Sequence, residues 1–277
     1  MSELASITPE EVKIFVKELK ENSDYDFSEY SVKSFTRRIE KLLMDYNVEL
    51  VDLIDKISND KNFLEKIVKE ITVNTTELFR DPEVWKVIKR VVINKYSNLD
   101  SIDVWHAGCS TGQEVFSMLI LMKECGLFSK TNSYATDINT DVIDVSKSGK
   151  YKYREIDEYV NNFNTAFEEA EHKPKIETYL DIARSKSLIS VSPEIVAKPV
   201  YTKYDLTKLN NPFNTKYDII FCRNVLIYFT HELQNRIFGF FHDNLKPNGL
   251  LIIGRHEGIL GDVALRYEKR DNLYFKR

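Results

Sequence analysis

Apolar residues recur every three to four positions from Glu11 to about residue 70, and that period predicts helices. Val12, Phe15, Val16 and Leu19 share a face over Glu11–Leu19, and Val32, Phe35, Ile39, Leu42 and Leu43 do so over Ser31–Met44. Val51–Ile57 and Phe63–Ile71 add two shorter helices. Asp81-Pro82 reads as a further helix start, with proline in the first turn. From Ile102 the rhythm changes. Strands over Ile102–Trp105, Ser133–Thr136, Val200–Tyr204, Asp218–Cys222 and Leu250–Ile253 alternate with helices over Gln113–Met122, Asp141–Ser148 and Glu232–Asn244. Such alternation predicts an α/β fold with a doubly wound, mostly parallel sheet. Residues 151–198 interrupt it with tyrosines, charges and the near-alternating LISVSPEIV, which reads as a partly β insertion; YEKRDNLYFKR at the end reads as a hairpin. The expected organisation is an all-helical region over 1–72 followed by the α/β region over 73–277.

The chain of 277 residues is long enough for one large or two modest cores. Its net charge of −4 excludes a general nucleic-acid binder. Cys109, Cys125 and Cys222 are odd in number and lack C-x-x-C spacing, so neither a disulfide framework nor a zinc site is expected, and a reducing cytoplasm fits. The opening MSELASITPE lacks the basic and apolar regions of a signal peptide, and no apolar run is long enough to span a membrane.

The most informative stretch is VWHAGCSTGQEVFS, residues 104–117. A strand feeds a small-residue turn from Gly108 to Gly112, and a helix follows. Free backbone N–H groups gather at such a corner, where a polar or anionic ligand can sit. The spacing G-x-x-x-G is not the dinucleotide fingerprint, so a nicotinamide or flavin is disfavoured. In doubly wound sheets ligands bind at the carboxyl ends of strands. Polar residues gather there: Gly108–Gly112, Asp137, Asp205, and Arg223-Asn224 after the buried DIIFC. Asp137 can accept hydrogen bonds from a ribose or cap the next helix, and Glu114 can hold an ammonium group or simply favour the helix dipole. Asp205 can meet an adenine amino group or lie in a surface turn. Asn74, Thr75 and Thr76 suit a cap or a ligand contact, and Tyr228 a site wall or the core. On the second helix Lys33, Arg37 and Lys41 share a face with Arg38 beside it, either a solvated face or a docking surface for an acidic partner.

In order and spacing, TVNTTELFR, VWHAGCSTGQEVFS, ATDINTDVIDVSKSGKY, DIIFCRNVLIYF and LKPNGLLIIG closely resemble the CheR-type chemotaxis receptor methyltransferases, and the likeness runs over essentially the whole chain. The resemblance implies a Rossmann-like methyltransferase domain with a small antiparallel β insertion at about 174–200. It implies transfer of methyl from S-adenosyl-L-methionine to glutamate side chains of chemoreceptors, leaving S-adenosyl-L-homocysteine. By motif, Asn74, Thr76, Arg80, Gly108, Glu114, Asp137, Asp205, Leu206, Arg223 and Asn224 match cofactor-binding positions, and Arg80 and Tyr228 match residues beside the reacting methyl. The basic helix bearing Lys33, Arg37, Arg38 and Lys41 would face the cytoplasmic part of the receptor. Two departures stand out. Asp205 replaces the family's usual Asn, and Gly254-Arg255-His256-Glu257 stands where Gly-His-Ser-Glu is usual.

A carboxylate with a reference pKa of about 4.3 is already ionised at neutral pH, so its methylation needs no general base and none is assigned. What the reaction needs is alignment, with the reacting atoms about 3–3.5 Å apart, in a site shielded from water. His106, beside the central turn, is read as structural. The competing readings are a methyltransferase using the same cofactor on another protein, an RNA or a small molecule, and a non-catalytic module that senses the cofactor.

Overall fold

The computed structural model describes residues 7–72 and 74–277. The leader reading of residues 1–6, and Val73 at the start of the expected second region, lie outside the described residues. The chain divides into two compact units, Met1–Val73 with Val225–Ile237, and Asn74–Asn224 with Phe238–Arg277.

The first unit carries α1 (Pro9–Asn22), α2 (Val32–Tyr46), α3 (Leu50–Asn59) and α4 (Lys61–Ile71). Each helix buries the centre of the apolar stripe its sequence presents: Phe15 and Leu19, Phe35 and Ile39, Leu53 and Ile57, Ile67 and Ile71; Val32 and Val51, in the first turns of α2 and α3, are exposed. Thr8 and Glu11 cap α1 reciprocally, satisfying two otherwise orphaned N–H groups. The segment Val225–Ile237 joins this unit through the Ser31 N–H donating to the Tyr228 carbonyl (2.8 Å) and the Thr230 N–H donating to the Glu29 carbonyl (2.9 Å). The rings of Tyr30 and Phe229 meet edge to face, 4.8 Å between centroids.

The second unit begins with α5 (Pro82–Tyr96), β1 (Ile102–Ala107), α6 (Gln113–Glu124), β2 (Thr131–Asp137), α7 (Thr140–Ser148), β3 (Lys150–Lys152) and α8 (Ile156–Ala166). It continues with β4 (Leu180–Ala183), β5 (Leu188–Val191), α9 (Pro193–Val196), β6 (Pro199–Lys203) and β7 (Tyr217–Cys222). It ends with α10 (His231–Asn244), whose last turns it holds, then β8 (Leu245–Ile253), β9 (Tyr267–Arg270) and β10 (Leu273–Lys276). Seven strands form one sheet in the order β6-β2-β1-β7-β8-β10-β9. The first five pair in parallel; β10 is antiparallel to both its neighbours. The strand order reverses beside β1, and such a switch point is where doubly wound sheets open a crevice for ligands. Every residue of β7 is buried, as expected of a strand covered on both faces. Lys246–Gly249 lies inside β8, which begins five residues before the expected Leu250, as an irregularity: the pairing of β7 with β8 shifts between Tyr217 and Ile219.

A separate antiparallel sheet has the order β3-β5-β4. The small β region therefore starts at Lys150, earlier than the stretch expected at about 174–200, because β3 follows α7 directly and pairs with β5 across an intervening helix. The strand expected near 200 belongs to the main sheet, as β6 beside β2.

At the amino ends of the strands, the Lys246 ammonium contacts the carboxylates of Asp103 (2.7 Å) and Asp218 (2.6 Å), and the Asp103 N–H donates to Asp218 (2.8 Å). Three strands are tied by one carboxylate that is itself buried. Asp218→Ala should therefore lower stability by about 1–3 kcal/mol, because it strands a donor and leaves Lys246 with one partner. Urea unfolding measures this as a lower midpoint at unchanged slope.

Candidate active site

The turn after β1 folds onto the end of β2. The N–H groups of Gly108 and Cys109 both donate to the Thr136 carbonyl, at 2.9 and 2.8 Å. Gly108 (φ 86°), Ser110 (φ 49°) and Gly112 (φ 93°) all take left-handed backbone. At Gly112 glycine is required twice over, since a Cβ there would lie 2.0 Å from the Ser146 hydroxyl oxygen. The Tyr151 hydroxyl, from the small sheet, donates to the Thr111 carbonyl at 2.6 Å and props the turn from outside.

Asp137 ends β2 and faces this turn. One of its oxygens accepts the Ser110 N–H (2.9 Å) and the other the Asn139 N–H (3.0 Å). Burial raises its pKa above the ordinary aspartate value, against the pull of these backbone donors and that of Ile138. Helix α7 is capped by Asn139, whose side chain accepts the Asp141 N–H, so Asp137 is not its cap. Three backbone donors leave the Asp137 carboxylate acceptor capacity for a ligand hydroxyl. Asn74 lies close by, its carbonyl accepting from the Ser110 hydroxyl at 3.0 Å.

Glu114 sits in the first turn of α6. Its carboxylate accepts from His106 Nδ1 at 3.0 Å, and its other oxygen lies 3.6 Å from the Arg223 guanidinium. Arg223 is buried just beyond β7. It donates to the Asp81 carboxylate (2.7 Å) and to the Arg80 carbonyl (2.9 Å), and it lies over the Trp85 ring. Its visible partners are therefore protein groups that shape the site. Arg80 stands between two residues in left-handed backbone, Phe79 (φ 51°) and Asp81 (φ 55°). Such conformations are rare for a side chain as bulky as Phe and collect where the surroundings over-determine them. Here the Phe79 N–H is held by the Ser117 hydroxyl (2.7 Å) and its ring packs against Trp85, Phe163 and Phe167. The Arg80 guanidinium donates to the Thr75 carbonyl at 3.3 Å. Thr76 lies in the irregular stretch between, partly buried.

Asn224, also left-handed (φ 60°), has its N–H held by the Glu257 carboxylate at 2.9 Å, and the same carboxylate takes the Gly254 N–H at 2.6 Å. That gives the Gly254–Glu257 turn a role the sequence left open: its glutamate fixes the backbone beyond β7. Asp205 follows β6 and accepts from the N–H and hydroxyl of Thr207, at 2.9 and 2.8 Å, and Leu206 beside it is buried. Tyr228 belongs to the first unit, where the Arg38 guanidinium lies 5.0 Å from its ring centre. The contacts of Asp81, Ser117 and Tyr151 escaped the sequence reading, and the role of Glu257 in the Gly254–Glu257 turn was left open. The Asp81-Pro82 pair carried a signal, but it announced a helix start.

Residues 74–271 match the model of the CheR methyltransferase SAM-binding domain. The chain belongs to the CheR methyltransferase family. Cher3 of Pseudomonas putida is 31% identical over 250 residues, covering 90% of this chain and 89% of that protein. A chemotaxis protein methyltransferase of Borreliella burgdorferi is 28% identical, covering 95% and 93%. Chemotaxis protein methyltransferase 1 of Pseudomonas aeruginosa is 29% identical, covering 80% of each chain. As a CheR methyltransferase, the chain uses S-adenosylmethionine (SAM), and it has a seven-stranded Rossmann-like sheet with a small antiparallel sheet and N-terminal helices. Among the described residues, no helix is long and apolar enough to cross a membrane.

Glu77 lies three residues before Arg80, and its pKa is pushed up to about 7. Burial is the main cause, followed by the hydrogen bond and like charge of Glu158, with Arg80 pulling the other way. An acid that holds its proton more tightly when folded makes stability fall as pH rises between its unfolded value and about 7. Glu77→Gln should therefore melt higher than the parent at pH 8, with the gain shrinking towards pH 5. An equal gain at both pH values would trace the effect to packing instead.

Proposed function

We propose that this CheR methyltransferase esterifies glutamate side chains of chemoreceptors, with the site residues in the following roles. The observation that carries the reading is the pair of partly satisfied carboxylates, Asp137 and Glu114, flanking one left-handed turn where neighbouring parallel strands end. Carboxylates only accept hydrogen bonds, so this pair suits a ligand that presents hydroxyls and an ammonium group, as S-adenosylmethionine does. When bound, that cofactor supplies a methyl group already activated by its sulfonium charge.

Asp137 would accept from the ribose hydroxyls and Glu114 from the ammonium. The backbone from Gly108 to Ser110 approaches the ligand, with Asn74 and Thr76 alongside. Asp205 and Leu206, beyond β6, are assigned to the adenine. The Asp205 carboxylate is partly used by Thr207, which leaves it acceptor capacity for an amino group. Arg223 holds the Arg80 backbone in place with its guanidinium 3.6 Å from Glu114, and Asn224 is held by Glu257. Arg80 is assigned to orient either the cofactor carboxylate or the incoming glutamate. Tyr228, assigned by resemblance, would stand beside the methyl. The glutamate attacks as the carboxylate it already is, so no side chain has to move a proton.

The first unit supports an acidic partner. A groove of about 970 Å³ has four cations in its lining, Arg37, Arg38, Lys41 and Lys66, against two carboxylates, Asp45 and Glu70, with Tyr228 beside them. Arg37 and Lys41 are exposed, as is Lys33 one turn earlier, whereas Arg38 is half-buried and donates to the Ile71 carbonyl at 2.7 Å. A helix bearing glutamates, such as a receptor's cytoplasmic coiled coil, is the occupant this charge favours, and an enzyme serving such a partner would work in the cytoplasm.

Incubation with methyl-labelled cofactor and receptor-containing membranes should give protein-bound label that mild alkali releases as methanol. Label that resists alkali would mark an N-methyl or base-methyl product and overturn the ester reading. Arg37→Glu combined with Lys41→Glu spares the structural Arg38. It should slow receptor methylation at least tenfold while affinity for S-adenosylhomocysteine stays within twofold. Calorimetry and a methylation assay on the same preparation separate the two.

A further inference from the structure

His106 takes no part in the scheme above, yet it is fully buried and lies next to the candidate cofactor site. It stands on β1 with its ring stacked on Phe221, 4.6 Å between centroids and 14° from parallel. Nδ1 is 3.0 Å from one oxygen of Glu114, and Nε2 is buried with no hydrogen-bond partner among the described residues. A carboxylate has no proton to give, so the proton of this contact sits on Nδ1. The other Glu114 oxygen is 3.6 Å from the Arg223 guanidinium, too far for a hydrogen bond and close enough to close into one.

We infer that His106 is a positioning residue: by holding one Glu114 oxygen from β1, it keeps the other from collapsing onto Arg223 and leaves it open to the ammonium of the cofactor. The inference rests on the cofactor reading given above. The physical argument is competition. Arg223 already has Asp81 and the Arg80 carbonyl on one edge of its guanidinium. A freed Glu114 would gain a short charge-assisted contact with its remaining edge and would then be a poorer partner for a ligand cation. The stack on Phe221 fixes the ring plane, so the direction of the Nδ1–H bond is set by the sheet and not by solvent.

Asn and Gln discriminate this role from a merely structural one. The amide of Asn places an N–H where Nδ1 is, and that of Gln places it where Nε2 is. Two ligands complete the test: S-adenosylhomocysteine, which carries the ammonium, and 5′-methylthioadenosine, which lacks the amino-acid part. His106→Gln should weaken S-adenosylhomocysteine about tenfold, the scale of one hydrogen bond, and leave methylthioadenosine unchanged. His106→Asn should bind both like the parent. Glu114→Gln should erase the preference for S-adenosylhomocysteine in the parent and add little in the His106→Gln background, as expected of two residues acting through one contact. Equal behaviour of Asn and Gln, or loss of both ligands together, overturns the positioning role. A parent that binds neither ligand overturns the cofactor reading first.

Discussion

A buried positive charge must be answered by its surroundings, and here that charge is the guanidinium of Arg223. Removing it from water is expensive unless nearly every face finds a partner. Asp81 and the Arg80 carbonyl supply two contacts, Glu114 a looser third, and the Trp85 ring lies beneath. The consequence is geometric. Asp81 reaches the guanidinium from left-handed backbone at the head of α5, and with Phe79 it fixes the course of the backbone on either side of Arg80. Strain at Phe79 and Asp81 persists because three independent holds converge: the Ser117 hydroxyl, an aromatic cluster and the Arg223 contacts.

Strand order does the rest. The four strands β6, β2, β1 and β7 lie side by side and parallel, so Asp205, Asp137, the Gly108–Gly112 turn and Arg223 follow neighbouring strands at their carboxyl ends. Nothing in the loops has to be long to bring these groups to one edge of the sheet. The small sheet contributes too, because Tyr151 on β3 anchors the turn whose shape decides where a ligand can lie.

The strands, the helices and the turn after β1 were legible because each is written in local periodicity or in small residues. The helix start at Asp81-Pro82 was legible, but the use of the Asp81 carboxylate was not: its partner Arg223 lies 142 positions away. The same limit hid Glu257, which serves the Asn224 backbone from 33 positions on. The insertion read at 151–198 contains the small sheet except for the first residue of β3, but the strand β3 itself was not legible, since it has only three residues and no alternation to display. The first unit's claim on Tyr228 and Phe229 was invisible for a similar reason, being made by Tyr30, Ser31 and Arg38 across the chain. Of the four basic residues read on α2, Arg38 is partly a structural residue, turned toward Tyr228 and the Ile71 carbonyl.

The excursion of residues 225–237 into the helical unit has a bearing on how this protein can be dissected. A chain cut at residue 73 would not release a tidy catalytic half. It would leave the backbone of Tyr228 and Thr230 without Ser31 and Glu29, and the ring of Phe229 without Tyr30, in the middle of a strand-to-helix connection. The two units are interleaved in covalent order, so evolution or an engineer exchanging the amino-terminal helices must exchange that returning loop with them.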